Sequence, residues 1–143
     1  MTKKSARSVA GDLDLETAAQ RLSDCADAFN ATIKEAIAAG QLDREAAFQH
    51  LAREQMLRSL ANQLHFDAAL GVVAGLTATQ ADLDAALDAA TTKIRSLQRF
   101  SAVLTLVADV LALGAAISAR QPAVIVAALN CVRNDADKLS DKA

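Results

Sequence analysis

Between Leu83 and Ser118 the chain repeats one spacing without a break. Leu83, Leu87, Ala90, Ile94, Leu97, Ser101, Leu104, Ala108, Leu111, Ala115 and Ser118 follow one another at alternating steps of four and three. That period is one face of an α-helix packed on other helices. Sustained over five heptads, it predicts a single long helix ending near Ala119. Thr77 with Gln80 and Thr79 with Asp82 are capping-box pairs at its start, and Asp82, Asp84 and Asp88 place negative charge at the positive end of the helix dipole.

The rest of the sequence reads the same way. Alanine, the best helix former, supplies 34 of the 143 residues, against one Pro and five Gly. A first helix is predicted over about Leu13–Ala39, with Leu15, Ala19, Leu22, Ala26, Phe29, Ile33 and Ala36 on one seam and Gly40 as its stop. A second is predicted over Arg44–Val73, capped by Asp43. Its Met56, Leu57, Leu60, Ala61, Leu64 and Ala68 share one arc. Phe48 and Leu51 fall outside it, so the buried face wanders or two faces are covered. A fourth begins at Pro122, which suits the first helical position, and carries Val124, Ile125, Ala128, Leu129, Val132, Ala136 and Leu139 on one side. Only Arg120-Gln121 separates it from the third, so the two form an antiparallel hairpin. The expected fold is an all-α, up-down antiparallel four-helix bundle with one long third helix and an apolar C-terminal hairpin. Residues 1–11, with Lys3, Lys4 and Arg7, read as a flexible basic tail and 12–143 as one domain.

Lengths then single out a surface. At 1.5 Å per residue the third helix spans roughly 60 Å, the second about 45 Å, the first about 40 Å and the fourth about 27 Å. The far tip of the third helix therefore overhangs its neighbours, and after Phe100 it is apolar nearly all round. Val103, Val107, Val110, Leu111, Leu113 and Ile117, with Val124, Ile125 and Leu129 of the fourth helix, are the expected interaction surface, because an exposed apolar patch marks a contact site. The function expected is a non-catalytic helical assembly protein that self-associates, or meets a protein partner, through the hairpin of residues 100–132. The alternative is a membrane-acting effector or pore-forming component that inserts the same hairpin. Phe100–Ala119 is long enough to cross a bilayer, but Asp109 near its centre opposes spontaneous insertion. In pattern alone, an apolar hairpin on an amphipathic bundle resembles helical pore-forming toxins and secretion-system translocators; no motif here is specific to them. Asp109 reads as a solvent-facing acid, as a buried acid paired with Arg120 or Arg133 of a neighbouring chain, or as an acid whose protonation eases entry into lipid.

Other chemistry is sparse. A net charge of −2 makes a poor nucleic-acid binder, and none is expected as a partner. His50 and Glu54 share a helical face but have no third ligand at metal-site spacing, so no metal and no cofactor is expected. Two surface histidines, with Glu54 paired to Arg58, are the plainer reading. No phosphate loop, nucleophile elbow or carboxylate pair is present in the sequence, and the chain reads as a non-enzyme. Cys25 and Cys131 read as two buried free thiols, with a disulfide between the first and last helices as the alternative. No apolar segment follows Met1, so the expected location is the cytoplasm.

Overall fold

The computed structural model describes residues 14–67, 80–96 and 99–138, all helical but for the caps and connections. There are five helices among these residues, not four: α1 (Leu15–Ala38), α2 (Arg44–Asp67), α3 (Gln80–Ser96), α4 (Phe100–Ala119) and α5 (Pro122–Lys138). The expected long third helix is two helices. Arg99 is extended, at φ −88° and ψ 118°, and caps the start of α4. The capping pairs at Thr77 and Thr79, the N-terminal tail and the predicted extension of α2 to Val73 lie outside the described residues.

The chain also reverses between Ser96 and Phe100. α3 lies parallel to α1: the Asp14 amide donates to Gln80, Arg21 pairs with Asp84 and Asp88, and the Thr32 hydroxyl donates to the Ile94 carbonyl. α4 starts at the end where Phe100 meets Phe29 and His50, and finishes beside Asp67, whose carbonyl accepts from Arg120. It therefore runs back down the bundle, antiparallel to α3, instead of projecting beyond it.

The seam explains how this happens. In α3 its residues Leu83, Leu87, Ala90 and Ile94 are buried. In α4 its residues Ser101, Ala108 and Ala115 are exposed, and Leu104, Leu111 and Ser118 are half-buried. The face that α4 buries, Val103, Leu106, Val107, Val110, Leu113 and Ile117, lies about 140° around the helix from the seam at 3.6 residues per turn. Burying these six side chains is worth roughly 1.5–3 kcal/mol each. Interrupting the helix loses a few backbone hydrogen bonds at a net of about 1 kcal/mol each. Folding back wins by a wide margin, and no overhang is left.

Around the reversal, helix ends follow local chemistry. Asp14 caps α1 by accepting from the Glu16 amide and the Thr17 hydroxyl. Gly40 takes φ 76° after α1, a conformation glycine adopts without strain. Asp43 accepts from the Ala46 amide at the start of α2. α1 is the hub, packed against α2, α3 and α4, and buries residues on two sides from Leu15 to Ala36. α5 closes the bundle on α4 and α3. Gly114 allows the closest approach: a Cβ there would sit 3.1 Å from a Leu60 methyl and 3.2 Å from a Leu22 methyl. It marks a tight three-helix contact within a continuous α4.

Candidate functional site

The structure divides the expected interaction surface. Val103, Val107, Val110, Leu113, Ile117, Ile125 and Leu129 are buried within a single copy of the chain. Leu111 is half-buried and Val124 exposed. The exposed apolar tip anticipated from helix lengths is absent because α4 lies alongside α1 and α2. One helix among the described residues, Phe100–Ala119, is long and apolar enough to cross a membrane, and half of it is buried as a core helix is.

Asp109 is half-buried on the α5 side of α4. Its Oδ2 is enclosed without a hydrogen-bond partner. The group it meets is another acid, Asp135, while the Arg120 guanidinium turns to the Asp67 carbonyl at 3.5 Å. Burial first, then the Asp135 carboxyl, push the Asp109 pKa up to about 7. A carboxyl beside another carboxyl ionises at a cost, so Asp109 tends to keep its proton well above the usual carboxylate range. The solvent-facing reading of Asp109 is corrected by its enclosed Oδ2.

His50 and Glu54 are not surface groups. Both are buried. Glu54 accepts from Asn30 at 2.8 Å and from Arg58 at 2.6 Å, and Arg58 reaches on to Asp27 at 3.0 Å. The carboxylate thus ties α2 to α1. His50 packs edge-on against Phe100, with ring centres 5.0 Å apart, and against Phe29 at 6.5 Å; burial lowers its pKa. His65 meets Glu16 at 3.1 Å. No cluster of three metal-ligating side chains occurs among the described residues. Cys25 is buried against Thr91, and burial pushes its thiol up to about 11. Cys131 is exposed, contrary to expectation, and both thiols are free.

What sequence reasoning missed lies on the outside of α2. Phe48 is 67% exposed, Met56 56% and Phe66 79%. Of these, Met56 lines a shallow groove between α2 and α4, about 590 Å³ in volume, floored with it by Leu60, Leu111 and Ala115 and edged by Gln55 and Gln63, while Phe48 lines a separate depression with Ile37, Leu42 and Leu51. The two helices run parallel here, as Gly114 beside Leu60 and Arg120 beside Asp67 show. The signal was present in Phe48, which lay off the main arc of its helix. Of the expected surface residues, only Leu111 belongs to this groove. Compared with family models, curated proteins and solved structures, the chain matches none.

Proposed function

We propose that this chain is a non-catalytic helical assembly module that self-associates. The observation that supports the reading is the outer surface of α2 and α4. It combines exposed Phe48, Met56 and Phe66 with the apolar groove at Leu60, Leu111 and Ala115. Large aromatic and Met side chains standing in water on one face are what contact surfaces are made of. The hairpin of residues 100–132 takes part through its outer side, at Leu111 and Ala115, while its inner side is the core. Sedimentation of the pure protein over a wide concentration range tests this. The average mass is expected to rise above that of one chain as concentration increases; one-chain mass throughout overturns the reading.

A second reading is membrane action by α4, and the observation that favours it is its length and apolar content. It requires the buried face of α4 to leave the bundle, with protonation of Asp109 lowering the cost. Release of dye from anionic lipid vesicles in mild acid, enhanced by Asp109→Asn, supports it. Intact vesicles at every pH remove it.

A further inference from the structure

The exposed side of α2 carries a second seam. Phe48, Ala52, Gln55, Ser59, Asn62 and Phe66 follow at steps of four, three, four, three and four, and every one is exposed. It is the spacing of a helix packed on a helix, on a face that none of the described helices covers. The seam is also arranged symmetrically about its midpoint. Phenylalanine stands at both ends, the small or short polar Ala52 and Asn62 come next, and Gln55 and Ser59 flank the centre. We propose that this face binds a second copy of the chain, α2 against α2 in antiparallel register about a two-fold axis near residue 57. The proposal rests on the self-association reading and specifies how it is built.

Symmetry is the first argument for a second copy over an unrelated partner. A two-fold interface requires that if residue i meets residue j of the other copy, then j meets i. Antiparallel pairing about that axis places Phe48 against Phe66 twice, Ala52 against Asn62 twice and Gln55 against Ser59 twice, the last pair offering an amide and a hydroxyl to one another. Met56 falls beside the axis and meets its own equivalent.

Charge is the second argument. The seam and the positions on its α4 side, Gln49, Met56 and Gln63, carry none. Nor do Ser101, Leu104, Thr105, Ala108, Leu111, Ala112, Ala115 and Ser118, the adjoining outer side of α4. An interface between identical surfaces sets like charges against one another; the seam itself holds none from Phe48 to Phe66, and the flanking charges, Arg53, Arg58 and Asp67, stand at its rim. Arg58 on the opposite flank is held by Glu54 and Asp27.

Relief and area are the third. Alanines at 108, 112 and 115 leave α4 low beside the seam of α2, so α4 does not hold the second copy's α2 away from it. From Phe48 to Phe66 is about 27 Å along the axis, and two helices are roughly 20 Å across, a footprint of about 500 Å² per copy. That sits at the lower limit of specific interfaces, which fits a dimer that dissociates on dilution.

Cysteine cross-linking tests the register in the full-length chain with Cys131→Ser. Ala52→Cys and Asn62→Cys chains are made separately. Opposed across the axis, they are expected to form a disulfide when mixed and oxidised. Neither should pair with itself, because equal positions lie about 15 Å apart in this register and a disulfide spans Cα atoms no more than about 7 Å apart. Self-pairing of Ala52→Cys chains alone indicates parallel packing and overturns the proposal. As a second measurement, Phe48→Ser with Phe66→Ser is expected to abolish the dimer while leaving the helical spectrum and melting cooperativity of the single chain intact. If the protein associates but neither the cross-link nor the double substitution bears on it, this face is wrong and the assembly reading stands. If it never associates, both fall.

Discussion

The most apolar helix and the one of lowest average hydrophobicity have exchanged the roles their compositions suggest. Over twenty residues α4 carries one charge, yet its large side chains are dry except for partial exposure at Phe100, Leu104 and Leu111. α2 is rich in Arg, Glu, Gln and His, yet it leaves Phe48, Met56 and Phe66 in solvent. The difference teaches that hydrophobic content decides how much surface a helix must hide, whereas placement around the axis decides whether its neighbours can hide it. α4 concentrates its Val, Leu and Ile within one wide arc that meets α1, α2 and α5. α2 spends its buried arc on Ala47, His50, Glu54, Leu57, Ala61 and Leu64, and its remaining large apolar residues point elsewhere.

The contrast can be broken most forcefully from the α4 side. Leu113→Ala is expected to destabilise the chain by roughly 2–5 kcal/mol, as a fully buried leucine does when truncated to leave a cavity. Chemical denaturation measures it. A loss within error would mean that α4 does not pack where the structure places it. Gly114→Leu comes next, at about 1–3 kcal/mol, because a side chain there must displace the Leu22 and Leu60 methyls. The same denaturation series reads it.

The acid pair between α4 and α5 sharpens the comparison through pH. The Asp109 pKa is about 7 in the fold against an ordinary 3.8, so the folded chain holds this proton more tightly than the unfolded one. Stability from this source is therefore greatest below pH 4 and falls as pH rises from there through 7. Asp109→Asn removes the ionisation. Its melting temperature is expected to exceed that of the natural chain at pH 8, with the advantage shrinking toward pH 5. An advantage that does not depend on pH would show that Asp109 ionises freely in the fold.

The smallest stability effect is expected on α2. Phe66→Ser should change the stability of the dissociated chain by no more than about 0.5 kcal/mol, as exposed positions do. Its melt at low concentration checks this. A larger loss would show that Phe66 is covered within one copy, and the two helices would no longer differ.

Much of the bundle was legible because it is written locally. Asp43 capping α2, Gly40 ending α1, Pro122 opening α5 and the tight turn at Arg120-Gln121 each act on the few backbone groups beside them. The Glu54–Arg58 pair was legible for the same reason, being four residues apart on one helix. The burial of Glu54 was not, since it depends on α1, where Asn30 donates to Glu54 and Asp27 pairs with Arg58. Cys131, at the edge of an apolar stripe, turned outward on a side of α5 that none of the described helices covers.

From the sequence alone came the all-helical character, the periods of the helix faces and most of the helix ends, since each follows from backbone preferences and neighbours within a turn or two. The tertiary structure alone decided that the long rod would fold back and that its greasy end would become core. Residues 97–99 hold neither Gly nor Pro to announce the reversal. The seam runs across it in step because Ala and Ser gain little from either burial or exposure and so tolerate both. Only the large side chains of α4, once α1 and α2 were there to receive them, supplied enough burial energy to choose.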